Sequence, residues 1–308
     1  MVAASAGMLN RAGKDPMQPY FARYPRGLAY CLSGIAIQSL LPGTPFMREG
    51  IEVFPGYADR AFCDAIRRDA DVYFHERLPD PQSGAFVLAR YNQPLDDYDR
   101  FVFQIVNYHL LRPDICTPAI ARLETVASAR AGTPMHVASL IVQRDYPDRW
   151  TKRPLHSDGM HFTMKSFIYL NDVMRLADGP YVYVPASHRA YGRRLLAISR
   201  NFRARSHRYD DLHRSIAAGP EHAVLGPAGT MILSVQSGAH KGWSHHTGEM
   251  RDVLVAKLSV RKPAKAHGHD QRALGVQAPI DKAEVLAQLA KLAESRGPAS
   301  AGGESRGS

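Results

Sequence analysis

The chain is poor in cysteine, and its cysteines are not spaced like a metal-binding or disulfide framework. Cys31, Cys63 and Cys116 lie far apart among 308 residues. An odd number of scattered cysteines is typical of free thiols in a reducing compartment. We therefore expect a cytoplasmic protein without structural disulfides, in which any metal site uses nitrogen and oxygen ligands.

Long apolar runs are absent as well. Residues 28–41 are mainly apolar, but the run is too short and too interrupted to cross a bilayer, and it is expected to contribute to the core. The first 20 residues do not show a basic stretch followed by an apolar one, as a signal peptide would. The sequence therefore predicts no membrane span and no secretion signal.

Acidic residues are outnumbered, with 29 Asp and Glu against 39 Lys and Arg, which gives a formal net charge of +10. A basic surface attracts nucleic acids, acidic metabolites or anionic lipids. No zinc-finger, RRM or helix-turn-helix signature is present, so nucleic acid is not the expected partner. The arginine-rich segment 193–214 has two interpretations, a solvated face or a rim that attracts an anionic small-molecule substrate. The sequence does not indicate the oligomeric state.

One short motif carries chemistry. His156 and Asp158 are two residues apart, so on a strand both side chains would point to the same face. With His240, which follows Ser237-Gly-Ala, they would form the two-histidine, one-carboxylate set of non-haem Fe(II) oxygenases. A lone His-x-Asp is a weak signal. Its alternative interpretation is a turn in which Asp158 bonds the backbone near Gly159.

The surroundings of the motif make it more specific. Residues 165–172 and 226–235 are strand-like, and a turn signal lies between them at Asp178-Gly-Pro180. Pro185-Ala-Ser-His188 follows the turn, and Arg251 lies eleven residues after His240. This order of elements is far more specific than any one of them.

The ordered pattern resembles the phytanoyl-CoA dioxygenase family of Fe(II)/2-oxoglutarate-dependent oxygenases over about residues 140–260. Asp178-Gly-Pro180 stands where that family has Asn-Gly-Pro, and Pro185-Ala-Ser-His188 where it has Pro-Gly-Ser-His. The distance from His240 to Arg251 also matches the family. One departure is Lys241-Gly242, where the family usually has Gly-Ser after the distal histidine. A serine that helps to hold the co-substrate in some members is therefore missing.

The resemblance implies an enzyme that binds Fe(II) through His156, Asp158 and His240. It would use 2-oxoglutarate and O2, release succinate and CO2, and most simply hydroxylate a small metabolite. Related halogenases have a small residue in place of the carboxylate, so Asp158 argues against halogenation. The primary substrate is not encoded in any recognisable motif.

The same resemblance assigns Arg251 to 2-oxoglutarate, and two further residues, Gln143 and Lys165, are candidates from the residues themselves. Arg251 would hold the distal carboxylate, since a guanidinium offers a bidentate fork. Gln143 lies on the strand expected beside His156 and could bond the co-substrate, although a satisfied buried amide is an equal alternative. Lys165 is a second candidate partner for a carboxylate. For Arg251 the alternative is an ordinary surface arginine at the end of a strand.

The expected fold is mainly β with flanking helices, a double-stranded β-helix (a cupin-like jelly roll) with helices before it. We predict a flexible N-terminus over 1–20 and a single dioxygenase domain over 21–265. Helical support would span 50–131, the jelly-roll core about 135–262, and a C-terminal helix with a disordered tail 266–308. Helices are predicted over 57–76, capped by Asp59, and over 100–111, 119–131 and 281–296.

Two other functional classes remain open from the residues alone. One is a metal-dependent cupin-like isomerase or hydrolase that does not use 2-oxoglutarate, and Arg251 speaks against it. The other is a non-catalytic binding protein on the same fold, and a complete set of three ligands speaks against that.

Overall fold

The computed structural model describes residues 28–29, 32, 44–89, 101–147, 155–158, 162–203, 219–246, 250–260, 262 and 275–296. The predicted N-terminus 1–20, most of the apolar run 28–41, the second half of the arginine-rich segment and the tail after residue 296 lie outside the described residues.

Two antiparallel sheets make up the core of the part of the chain that the structure describes. The strands are β1 Ile51–Phe54, β2 Phe86–Ala89, β3 Val102–Val106, β4 His136–Asp145, β5 Thr163–Tyr169, β6 Tyr181–Tyr183, β7 His222–Val224, β8 Met231–Val235, β9 His240–Gly242 and β10 Arg251–Ser259. The larger sheet has the order β1-β8-β5-β10-β4-β3-β2, and the smaller has the order β7-β6-β9. Tyr181 and Tyr183 of the smaller sheet pack against Ile141 and Val253 of the larger one. The predicted jelly roll is therefore confirmed.

Helices lie mainly on the outer side of the larger sheet. They are α1 Pro45–Glu49, α2 Arg60–Asp71, α3 Pro113–Ala131, α4 Tyr191–Arg203 and α5 Lys282–Arg296. Within the described part of the chain, none of them combines the length and the apolar character needed to cross a bilayer.

The central strand β10 shows why the sheet can be covered on both faces. Successive side chains on a strand point to opposite faces. Leu254 and Ala256 join the core under the helices, whereas Val253 and Val255 join the cluster between the two sheets. A strand that is buried on both faces therefore has an almost continuous apolar sequence.

Helix α2 begins where the sequence predicts. Asp59 caps it, because its Oδ1 accepts a hydrogen bond of 2.7 Å from the amide of Phe62. Cys63, Ile66 and Ala70 form its buried face, and a π-helical turn over Val72–Glu76 continues it. The predicted helix over 57–76 is confirmed, with a shorter α-helical part.

We expect Asp59→Ala to lower the free energy of unfolding by about 1 kcal/mol, because the first turn of α2 loses its side-chain acceptor. Chemical denaturation monitored by circular dichroism measures this loss. Arg68→Ala, on the exposed face of the same helix, is the matched control and should change the free energy far less. Equal effects of the two substitutions would argue against a capping role.

The predicted helical support over 50–131 is wrong in part. Residues 101–111, the described part of the predicted helix over 100–111, are not a helix, since strand β3 is followed by a 3-10 turn over Tyr108–Leu110. The run Val-Phe-Gln-Ile-Val of β3 is rich in β-branched and aromatic residues, and it pairs with β4. Strands β1 and β2 also lie in this region, at the two edges of the larger sheet. Helix α3 confirms the predicted helix over 119–131 and begins earlier than expected, with Pro113 in its first turn.

The C-terminal segment docks on the same core. The amide of Ile280 donates to the carbonyl of Phe74, and the amide of Val276 donates to Val87. The predicted helix over 281–296 is confirmed by α5, which buries Val285 and packs Leu289 against the core. The predicted domain limits stay a prediction.

Buried charges tie α2 to the outer face of the larger sheet. Arg144 of β4 makes two hydrogen bonds of 2.7 Å to Asp252 of β10 and one of 2.5 Å to Asp71 of α2. Arg144 and Asp252 are both buried. Because Asp252 immediately follows Arg251, these contacts fix the head of β10 from outside the barrel.

Candidate metal centre

Three side chains from two distant parts of the chain meet at one end of the barrel. One nitrogen each from His156 and His240 and one oxygen from Asp158 all lie within 4.8 Å of one another. His156 Nε2 is 3.6 Å from Asp158 Oδ1, and His240 Nε2 is 3.7 Å from Asp158 Oδ2. The structure thus brings together the three predicted metal ligands in an arrangement that could hold one ion.

The backbone itself joins the two histidines. The amide of His156 donates to the carbonyl of His240, and the amide of His240 donates back to His156, both at 2.8 Å. The amide of Asp158 donates to the carbonyl of Gln236 at 3.0 Å. His156 and Asp158 are therefore held beside the segment that leads into β9, and the distance between the ligands does not depend on side-chain packing alone.

The orientation of the His240 ring suits metal binding. Its Nδ1 lies 3.0 Å from the carbonyl of Gly238, which can only accept, so Nδ1 must carry the proton. Nε2, the atom that faces Asp158, is then the ring atom left for a metal ion. His240 is buried, whereas the side chain of His156 is 46% exposed. The site therefore opens to solvent on the His156 side.

Asp158 is held as a carboxylate. Burial disfavours its charge, but the neighbouring His240 ring and the ammonium of Lys165 outweigh this effect and hold the pKa of Asp158 far below its usual range. Lys165 Nζ contacts Asp158 Oδ2 directly. Two imidazoles and one ionised carboxylate, with no thiolate among them, form a donor set that fits Fe(II).

Comparison with solved structures shows the same architecture, although no protein-family model and no curated protein matches the chain. The non-heme α-ketoglutarate-dependent carbocyclase SnoK from nogalamycin biosynthesis has a TM-score of 0.52 and 18% identity over 77% of this chain and 90% of its own. The non-heme α-ketoglutarate-dependent epimerase SnoN from the same biosynthesis has a TM-score of 0.51 and 14% identity over 77% and 91%. EctD from S. alaskensis has a TM-score of 0.51 and 17% identity over 70% and 74%.

The chain has the fold of α-ketoglutarate-dependent enzymes. At these identities the likeness is one of fold, and it does not single out the phytanoyl-CoA dioxygenase family. α-Ketoglutarate is the 2-oxoglutarate expected from the sequence.

All three residues predicted to bind 2-oxoglutarate lie on the inner face of the larger sheet. Gln143 of β4 lies opposite Val253 of β10. Arg251 lies two residues before Val253, so both point to the same face of β10. Lys165 is two residues before Phe167, which packs into the cluster between the sheets. Lys165 lies beside the candidate metal ligands, opposite Lys257 of β10. Arg251 lies at the other end of β10, two residues before Val253, which pairs with Tyr169.

Arg251 has a buried carboxylate as its partner. Its guanidinium donates to Asp145, which lies directly opposite on β4, and both side chains are buried. Gln143 is bound on both sides, since its Oε1 accepts from Gln104 at 2.7 Å and its Nε2 donates to Asp145 at 3.1 Å. Sequence reasoning missed Asp145, although its place two residues after Gln143 puts it on the same face of a strand.

The Pro185-Ala-Ser-His188 segment forms a turn that contacts the residue before His240. Ala186, in the place of the family's glycine, adopts a left-handed backbone with φ of 59°. Ser187 Oγ donates to the carbonyl of Val184 and accepts from the amide of Ala239, the residue before His240. His188 bonds the carbonyl of Met47 at 3.0 Å.

The departure at Lys241-Gly242 has a structural explanation. Lys241 points away from His240, because neighbours on a strand alternate, and its Nζ lies 2.7 Å from Glu221. Gly242 lies opposite Tyr181, whose ring stacks on Phe167 with centroids 4.4 Å apart. Tyr181 and Tyr183 therefore face the barrel interior.

Proposed function

We propose that this protein is an Fe(II)- and 2-oxoglutarate-dependent oxygenase similar to the phytanoyl-CoA dioxygenases. The observation that carries the proposal is the cluster of His156, Asp158 and His240, with Nε2 of His240 turned toward an ionised carboxylate. These three residues would hold Fe(II) and leave other coordination positions for small molecules.

When bound, the iron with 2-oxoglutarate and O2 supplies the oxidising chemistry, which no side chain of the protein can provide. The protein orients the groups bound at the site and shields them from water. Asp158 contributes negative charge to the site, and the hydrogen bond from His240 to Gly238 fixes the imidazole ring. His156 lies at the exposed side, where a primary substrate would approach.

Arg251 is proposed to hold the distal carboxylate of 2-oxoglutarate. A guanidinium has five donors, so it can serve Asp145 and a second carboxylate at the same time. Gln143 would act less directly than the sequence suggested, by holding Asp145 in place. Lys165 is the second candidate for a carboxylate, at the end of the sheet where it contacts Asp158.

The primary substrate is proposed to be a small anionic metabolite rather than nucleic acid, and the reaction a hydroxylation in the cytoplasm. Lys165 beside the metal ligands and the net charge of +10 favour an anion. Hydroxylation follows from the resemblance to the phytanoyl-CoA dioxygenases. SnoK and SnoN are described as a carbocyclase and an epimerase, so a fold of this kind also serves other outcomes.

We expect the protein, loaded with Fe(II) under nitrogen, to develop a weak visible charge-transfer band when 2-oxoglutarate is added. Admission of O2 should then convert 2-oxoglutarate slowly to succinate, even without a primary substrate. Absorption spectroscopy and succinate quantification measure the two effects, and neither requires the substrate to be known.

The same experiment separates the alternatives. Iron binding without any 2-oxoglutarate band or heat of binding would favour a cupin-like isomerase or hydrolase. Binding of 2-oxoglutarate without succinate formation would favour a non-catalytic protein on this fold. Zinc-loaded protein is the control for the band, because a d10 ion has no such transition.

A further inference from the structure

The segment between β8 and β9 gathers the contacts of two proposed metal ligands. We call residues Gln236 to Ala239 the ligand loop. The carbonyl of Gln236, the first in this loop, accepts a hydrogen bond from the amide of Asp158. The carbonyl of Gly238, the third, accepts one from Nδ1 of His240. A displacement of this loop would therefore move Asp158 and His240 together.

The carbonyl between those two is held by an arginine from another element. Nη2 of Arg194, on helix α4, donates to the carbonyl of Ser237. The arginine is fully buried, at 0% relative exposure, whereas its neighbours Arg193 and Leu196 are exposed. One arginine of the basic segment thus points into the protein and contacts the ligand loop. It does not form part of a rim for an anionic substrate.

The ligand loop has little freedom to find another position. A Cβ at Gly238 would lie 2.0 Å from the hydroxyl of Tyr183, so the loop backbone passes directly against that ring. The hydroxyl of Tyr183 donates to the carbonyl of Val235, and Ser187 holds the amide of Ala239. Tyr183 and Ser187 thus hold the backbone on either side of Ser237. Arg194 binds the carbonyl of Ser237 itself, in the middle of the ligand loop.

We propose that Arg194 is a positioning residue for the metal centre. It holds the carbonyl of Ser237, and through the ligand loop it sets the distance between Asp158 and the ring of His240. The inference rests on the proposed function, because it assumes that these side chains bind the metal. It assigns a role to a residue of the arginine-rich segment that touches neither metal nor co-substrate.

The test compares Arg194→Met and Arg194→Lys with wild type. Anaerobic calorimetry measures the dissociation constant for Fe(II), and the visible spectrum of the Co(II)-loaded protein reports coordination geometry. We expect Arg194→Met to weaken Fe(II) binding about 10- to 100-fold, as the loss of an outer partner of a ligand does, and to change the Co(II) spectrum. Arg194→Lys keeps a donor and should recover most of the affinity.

Two controls separate positioning from general destabilisation. Leu123→Ala removes a buried side chain of α3 in the main core, so it should lower the unfolding temperature and leave both metal measurements unchanged. Arg193→Met removes an exposed charge from the same helix and should behave like wild type. If Arg194→Met does not fold, Arg194→Gln replaces it, because its amide is too short to reach Ser237.

The outcomes are distinct. Wild-type affinity and an unchanged Co(II) spectrum in the Met or Gln variant would overturn the role of Arg194. An equal loss of affinity in Leu123→Ala would do the same. If wild type itself binds neither Fe(II) nor Co(II), the proposed function fails, and the inference fails with it.

Discussion

His156→Ala should abolish turnover of 2-oxoglutarate while leaving the fold intact. The substitution removes one of the three proposed metal ligands, so Fe(II) binding should weaken by more than the roughly 100-fold that follows loss of an outer partner. Stability should change little, because the side chain is 46% exposed and the bond pair to His240 is made by the backbone. Metal content after anaerobic loading, succinate formation and thermal unfolding measure the three quantities.

His222→Ala is the matched control for this substitution. His222 is an exposed imidazole on β7 of the smaller sheet, outside the metal cluster. Its loss should leave iron content and turnover unchanged. A His156→Ala protein that kept wild-type iron content and turnover would remove His156 from the proposed ligand set.

Arg251→Ala should have a double effect, on co-substrate binding and on stability. Losing a charge-assisted pair of about 1.5–3 kcal/mol weakens 2-oxoglutarate binding about ten- to a hundredfold. The free energy of unfolding should also fall, by about 3–5 kcal/mol, because Asp145 is left as a buried carboxylate without its cation. Iron binding should survive, since the arginine is not a ligand. Arg251→Lys should bind 2-oxoglutarate nearly as poorly, because one ammonium cannot replace the fork.

The double variant Arg251→Ala with Asp145→Asn separates the two effects. Removing the buried charge should restore much of the stability lost in the single variant, without restoring affinity for 2-oxoglutarate. Calorimetry on the iron-loaded proteins under nitrogen and denaturant titration provide the comparison. An unchanged dissociation constant in Arg251→Ala would exclude Arg251 from the site and make Lys165 the next candidate.

The strands of the barrel were predictable wherever the sequence alternates or runs apolar between turn signals, as in β4, β5 and β8. The secondary structure of the segment 100–111 was harder to predict. The polar residues Arg100, Gln104 and Asn107 recur at a spacing close to that of a helix, whereas β3 is defined by its pairing with β4. Such pairing is a long-range property, and local patterns do not contain it.

The candidate site was predictable only in its metal-ligand part. His156 and Asp158 are neighbours in sequence, and His240 is identified by its spacing to Arg251. Asp145 escaped notice because nothing in the sequence says that β4 and β10 are adjacent strands with these residues opposite each other.

Arg194 escaped notice for a different reason. It is one of many arginines in its segment, and composition cannot tell which of them is buried. The available signal was weak: an apolar residue, Ala197, follows three positions later, and a helix would place the two on one face. The structure buries both.

The paired backbone bonds between His156 and His240 bear on the step at which the proposed metal ion would bind. These residues are distant in sequence, and closing a loop of that length costs about 4 kcal/mol of chain entropy. The folding of the sheets offsets this entropy cost, since the hydrogen bonds between His156 and His240 are part of the folded backbone. A metal ion would therefore enter a chain that has already folded, as the last step of maturation, and would not act as the template around which the barrel forms. Once bound, it would stabilise the folded state by mass action, by about 2.7 kcal/mol at a free concentration one hundred times its dissociation constant.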